Sequence, residues 1–213
     1  MRVAIIGASG NIGSVIRDEA LGRGHQVTAI VRNPDKITVK NTSLTKVKGD
    51  VLKDKVEGLV KGYDAVISAY NPGWTNPNIY DDTIKAYRAI IDGVKKAGVK
   101  RLLVVGGAGS LEVSPGVQLV ETMTVPELIK KGILGLREVL YILRKEKELD
   151  WTFLSPAGTI SPGERTGHFR LGKDQLLKDK NGDSKISIQD YAVAMLDELE
   201  KPKHRRERFT LAY

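Results

Sequence analysis

Gly7, Gly10 and Gly13 stand three apart, directly after the apolar run Val3-Ala-Ile-Ile. Glycines at that spacing let the backbone come close to a ligand, and a helix opening there turns free N–H groups toward it. The chemistry such a turn can perform is the holding of a pyrophosphate, with Gly7, Ser9, Gly10, Asn11, Ile12 and Gly13 as contacts. The spacing is Gly-x-x-Gly-x-x-Gly rather than Gly-x-Gly-x-x-Gly, so an ordinary tight strand-to-helix turn is the competing reading. A strand before and a helix after favour the nucleotide.

Further along, residue types follow the same theme. Arg32 closes the second apolar run, where an acidic residue would bind ribose hydroxyls. A guanidinium there can grip a 2′-phosphate at two points, with Lys36 in support, which favours NADP(H) over NAD(H). The bland alternative is a surface arginine beside the Asn33-Pro34 turn. Asp50 and Val51 follow the third run; the carboxylate suits an adenine amino group, or equally a helix cap. Ala69 and Tyr70, then Gly106, end the fourth and fifth runs and would border the nicotinamide, as would Pro156 after the sixth. Tyr70 and Trp74 could stack on a flat substrate or simply cover the loop. No catalytic residue is assigned; Ser110, Tyr70 and His168 are the candidates. His25 and His204 read as surface residues, and no cluster has metal-ligand spacing.

These residues must be carried by regular elements. Strands are expected at Arg2 to Ile6, Gln26 to Arg32, Thr45 to Lys48, Ala65 to Ala69, Arg101 to Val105 and Trp151 to Leu154. Helices should follow the glycine turn, span Val56 to Val60, and carry Ile84, Tyr87, Ile91 and Val94 on one face. Thr124-x-x-Glu127 reads as a capping box starting a helix to about Glu148, which Gly132 and Gly135 should weaken or split. Six strand–helix alternations imply an α/β fold, a doubly wound parallel sheet covered on both faces. The tail reads differently. Asn181-Gly182 is expected as a hairpin turn between Gln175-Leu-Leu and Lys185 to Ile188. A helix from Gln189 to Glu200 and a strand from Phe209 to Ala212 complete it. The chain is read as one domain, 1–213, with 157–213 as a small C-terminal lobe on the substrate side.

Composition sets limits. The 213 residues carry a formal charge of +8 and no cysteine, which excludes disulfides, zinc–thiolate sites and thiol catalysis. That suits a cytoplasmic setting. No apolar run can span a membrane, and Met1-Arg2 leads straight into a strand without room for a signal peptide. The basic run Lys201 to Arg208 reads as a solvated turn. Without interleaved aromatics or a helix-turn-helix pattern, nucleic acid is not the expected partner; a small-molecule acceptor is. Monomer and homodimer stay open.

Gly7-x-x-Gly10-x-x-Gly13, Arg32, Gly49-Asp50-Val51 and the two strand ends resemble the atypical short-chain dehydrogenase/reductase superfamily, of Rossmann fold. Ile160 to Gly167, Asp174 to Leu177, Ile186 to Ala192 and Arg208 to Tyr213 resemble the NADH–flavin reductases more closely. That group is related to NmrA-like proteins, to epimerase/dehydratase-like proteins and to the biliverdin reductase B/flavin reductase type. The resemblance implies hydride transfer from NADPH to a flavin-like or quinone-like acceptor, with FMN or FAD as substrate. The alternative is an NmrA-like NADP(H) sensor without turnover. It also implies a departure. The superfamily's Tyr-x-x-x-Lys pair would fall near Ile129 and Ile133, and its serine slot at Gly107. Tyr141-x-x-x-Lys145 matches the pattern, but lies ~24 Å along a helix begun at Val125. It reads as a packing pair.

Overall fold

A computed structural model describes all residues, 1–213. The strands are β1 (Arg2–Ile6), β2 (Gln26–Val31), β3 (Leu44–Lys48), β4 (Ala65–Ser68), β5 (Arg101–Val105), β6 (Glu112–Ser114), β7 (Val117–Gln118), β8 (Asp150–Ser155), β9 (Thr159–Ser161), β10 (Arg170–Gly172), β11 (Lys185–Ser187) and β12 (Glu207–Ala212). The helices are α1 (Asn11–Gly22), α2 (Val56–Val60), α3 (Ile79–Lys96), α4 (Leu119–Thr122), α5 (Glu127–Lys145) and α6 (Ile188–Glu200).

The central strands are buried on both faces, so they read as continuous apolar runs. Val3 and Ile5 point to one side, with α1 and α6; Ala4 and Ile6 point to the other, with α2, α3 and α5. The eight-stranded sheet has the order β10-β12-β8-β5-β4-β1-β2-β3, parallel except for β10. Strand order reverses at β1, which lies between β2 and β4. This is the doubly wound Rossmann arrangement, with its ligand crevice beyond the carboxyl end of β1.

The tail enters the sheet itself. β12 runs parallel to β8, and β10 adds the antiparallel edge. Three local expectations are corrected. The Asn181-Gly182 turn forms, with Asp179 Oδ1 accepting from the N–H groups of Asn181 (2.8 Å) and Asp183 (2.9 Å). Its flanks are not a hairpin, because β11 instead joins β9 in parallel. The capping box lies at Gln118 and Glu121; Thr124 caps nothing, since Pro126 leads into α5. Helix α5 runs unbroken through Gly132 and Gly135, which allow close contact with the Trp74 ring and α3.

Two histidines expected at the surface are tied down. His25 is buried with Nε2 2.9 Å from Glu200 Oε1. His204 stacks on Phe209 at 4.1 Å and faces the buried Glu198 carboxylate, which Arg101 also pairs. The basic run is a solvated turn only as far as Glu207; Arg208 is buried and paired with Asp174.

Asp190, on the first turn of α6, holds the 163–168 segment. It accepts from Thr166 Oγ1 (2.6 Å), Gly167 N–H (2.8 Å) and Tyr213 Oη (2.8 Å). Burial opposes its charge, but these bonds outweigh burial and hold the carboxyl below the usual range. A folded pKa below the unfolded value of about 3.9 stabilises the fold above that pH, and the contribution fades as pH falls through the folded value. Asp190→Asn is expected to lose about 1–2 kcal/mol near neutral pH and to flatten the acid decline. Urea unfolding at about pH 7 and about pH 3.5 measures both; an equal acid decline in variant and wild type would contradict it.

Candidate functional site

The glycine turn is built by exclusion of side chains. Gly7 has φ +82°, and its N–H donates to Ile30 O at 3.0 Å. A Cβ at Gly7 would stand 2.6 Å from Ala69 O, and one at Gly13 only 2.2 Å from Gly7 O. Gly10 N–H closes the turn on Gly7 O at 3.0 Å, and the first helical bond of α1 runs from Ser14 N–H to Gly10 O. The N–H groups of Asn11, Ile12 and Gly13 therefore have no partner in the chain, and no side chain caps the helix. Three unpaired donors at the positive end of a helix dipole are suited to receive an anion. Arg17 supports it from below. It is buried on α1 and donates to Ala8 O at 3.1 Å. Nothing in the sequence distinguishes it from a surface helix arginine.

Beside this turn lies a cavity of about 140 Å³, bordered by Gly7, Ser9, Arg32, Asp50, Val51 and Tyr70, among others. Arg32 is exposed and makes no hydrogen bond or ion pair within the chain. Lys36 sits on the next turn, outside this cavity. Asp50 serves its own loop: Oδ1 accepts from Leu52 N–H at 3.0 Å, while Oδ2 has no partner. The cap-like and ligand-binding readings are both open to it.

On the other side of Ala69 and Tyr70 the cleft widens to about 480 Å³. The third side of the glycine turn, Gly10 to Gly13, forms one wall, with Gly106 and Pro156 at the ends of β5 and β8. The far wall is Trp74, Leu119, Met123, Ile133, Leu136 and Ile160. Leu119 and Met123 belong to a flap of β6, β7 and α4 that the sequence shows only as a loop. Asn71 borders both cavities and was likewise unmarked.

One titratable side chain borders this larger cleft, Tyr70. Burial pushes its hydroxyl up to about 12, with Arg32 pulling the other way. Its ring meets Tyr87 edge-on at 6.3 Å. Ser110 does not face the cleft. It is buried, with Oγ 3.3 Å from Arg208 Nη1, because Gly109 turns inward under Ile133. His168 is also misplaced as a candidate: it is exposed, beside Arg170 and Tyr213, away from both cavities. Tyr141 accepts from Gln118 Nε2 at 2.9 Å and lies under Arg137, also outside the cleft.

The family described as NAD(P)H-binding matches residues 7–202, which take in the whole glycine turn and every residue lining the two cavities except Ile6. The chain belongs to the NAD(P)H-binding family. An uncharacterized Bacillus subtilis protein, YwnB, is 42% identical over 214 residues, covering 99% of this chain and 98% of that one. A Bacteroides thetaiotaomicron structure, described as a candidate epimerase, is 55% identical with TM-score 0.93, covering 100% of this chain and 96% of its own. A Streptococcus pneumoniae structure, described as a candidate NADH-flavin reductase, is 36% identical with TM-score 0.86, covering 100% and 99%. No helix of the NAD(P)H-binding chain is long and apolar enough to cross a membrane.

The three unpaired N–H groups and the space kept by Gly7 and Gly13 fit a dinucleotide pyrophosphate. A Cβ at Gly10 meets only Gly7 O, at 3.3 Å, and otherwise open space. Gly10→Val is therefore expected to fold, with melting within about 5 °C of wild type. Its side chain covers the donors, and NADPH and NADH binding should both weaken at least about 100-fold in calorimetric titration. Unchanged affinity would contradict the site.

Proposed function

We propose that this protein is an NADPH-dependent reductase that delivers hydride to a flat, conjugated acceptor of flavin or quinone type. The observation that carries this reading is the chemistry of the larger cleft. Its far wall is apolar, and its one titratable group is a tyrosine whose pKa burial pushes up to about 12. A ketone needs a proton donor as hydride arrives. A flavin or quinone spreads the new charge over its own ring system, so that solvent can supply the proton. When bound, NADPH supplies the hydride, and the acceptor leaves reduced by that hydride and one solvent proton.

The chain's own residues then do three things. The N–H groups of Asn11, Ile12 and Gly13 hold the pyrophosphate, and Arg32 holds the 2′-phosphate. Asp50 Oδ2 is free to accept from the adenine amino group, beside Val51. Ala69, Gly106 and Pro156 leave a flat floor for the nicotinamide, and Tyr70 borders its edge. Catalysis on this reading is positioning of two rings and exclusion of water from between them. The candidate NADH-flavin reductase of S. pneumoniae, with 36% identity over the whole chain, supports the acceptor class.

A sensor that binds NADP(H) without turnover is favoured by the same lack of an acid group. Mixing the protein with NADPH and FMN or menadione separates the two. Loss of the nicotinamide absorbance is the expected result. Tight NADPH binding without oxidation by any flavin or quinone would favour the sensor. The cofactor preference has its own test. Arg32→Glu is expected to raise the dissociation constant for NADPH roughly 30-fold and that for NADH less than about threefold. Equal losses would refute the role of Arg32.

A further inference from the structure

Trp74 is one of two tryptophans and the one that is open to solvent. It is 46% exposed, whereas Trp151 is 2% exposed in the core. A large aromatic ring left bare inside an apolar cleft is an unsatisfied surface. Its position is nevertheless fixed. The loop before α3 is held by its own polar groups: Asn71 Oδ1 accepts from Gly73 N–H at 2.7 Å, and Asn76 N–H donates to Gly73 O at 3.1 Å. Asn76 Nδ2 then donates to Asp82 Oδ2 at 2.8 Å, pinning the loop to the helix. Pro72 is buried beneath it. None of these bonds uses the indole.

The indole rests on α5 where that helix has no side chain. A Cβ at Gly132 would stand 2.6 Å from Trp74 Cζ3 and 2.7 Å from Ile79 Cδ1. Glycine inside a 19-residue helix costs stability relative to alanine, so its presence here has a packing reason. The bare backbone at Gly132 lets the ring lie back and keeps the cleft wide.

We propose that Trp74, seated on Gly132, is the face against which the acceptor ring stacks, and that Gly132 sets how large that ring can be. The inference rests on the reductase reading above and adds its specificity element. An alanine at 132 pushes the indole forward into the cleft. The narrowed space penalises a three-ring isoalloxazine more than a one-ring quinone. Arg32 and Asp50, which hold the far end of the nucleotide, lie in the smaller cavity and are untouched.

The experiment compares wild type with Trp74→Ala, Trp74→Phe and Gly132→Ala, using FMN, menadione and benzoquinone as acceptors. Trp74→Ala is expected to raise KM for FMN about tenfold, the worth of one aromatic stack, with the NADPH dissociation constant within about twofold. Trp74→Phe should recover most of the loss. Gly132→Ala should lower kcat/KM for FMN at least about fivefold more than for benzoquinone. An unchanged KM for FMN in Trp74→Ala, or an equal loss across the three acceptors in Gly132→Ala, would overturn the proposal. A purely structural role for Trp74 would weaken NADPH binding as well.

Fluorescence keeps this test separate from the reductase reading. Menadione should quench wild-type emission saturably, and quench Trp74→Phe, whose remaining indole is buried, far less. If wild type oxidises NADPH with no acceptor, the reductase reading fails. Saturable quenching through Trp74 would then still support the stacking face, and its absence would overturn it.

Discussion

The structure depends on one close approach. Where β1 ends, the chain turns so tightly that Gly13 comes back beneath the carbonyl of Gly7, with room for a hydrogen and nothing larger. That turn is what points the N–H groups of Asn11, Ile12 and Gly13 outward together. It can form because β1 lies in the middle of the sheet, paired on both sides, and cannot yield. Arg17 then fixes the turn from the helix side through Ala8 O. Local backbone, sheet and helix dipole all serve the same small volume. The donors that the fold itself leaves unpaired match the charge of a ligand with two negative phosphates.

Next to that charged end the cleft changes character. The smaller half is bordered by the glycine turn, Asp50 and an exposed arginine. The wider half has the N–H groups of Asn11, Ile12 and Gly13 on one wall and leucine, isoleucine, methionine and indole on the far one. The division falls at Ala69 and Tyr70, which border both. Such a partition suits a ligand that is anionic at one end and flat and uncharged at the other. The apolar half lowers the local dielectric, which is why Tyr70 is so weak an acid there. The same burial that holds the Tyr70 ring at the border of the two halves makes its hydroxyl a weaker acid than an exposed tyrosine.

Much of this was legible in the sequence where the signal is local. Apolar runs bounded by glycine and proline mark the strands, because strands buried on both faces must be apolar throughout. The glycine spacing marks the turn, because Gly7 adopts a left-handed φ and Gly13 a contact that a side chain forbids. What stayed hidden is decided by partners far away in the chain. Lys185 to Ser187 looks like half of a hairpin, yet its edge is taken by Thr159 to Ser161. Arg208 sits in a basic run that reads as solvated, and only its place in β12 carries it inward to Asp174. His25 and His204 each meet a glutamate of α6 or its end. Leu119 and Met123 enter the cleft through a flap whose capping signal lies at Gln118, a residue type that rarely announces a helix start.

Ser110 shows how such distant pairing alters chemistry as well as shape. Ser110 lies three residues past Gly107, which takes the serine slot of the superfamily the chain resembles, and it is the nearest hydroxyl after β5. Here Gly109 tucks under Ile133, and the next residue is drawn down to the guanidinium of Arg208, which also reaches Ser155 at the end of β8. Asp174 neutralises that guanidinium from the tail. The guanidinium of Arg208, near the start of β12, thus ties Ser110, just after β5, to Ser155 at the carboxyl end of β8. The Ser110 hydroxyl is buried and is not among the residues that line the cleft. The tail that completes the sheet thereby withdraws a candidate acid from the site, and the apolar wall of Trp74, Ile133 and Leu136 takes its place.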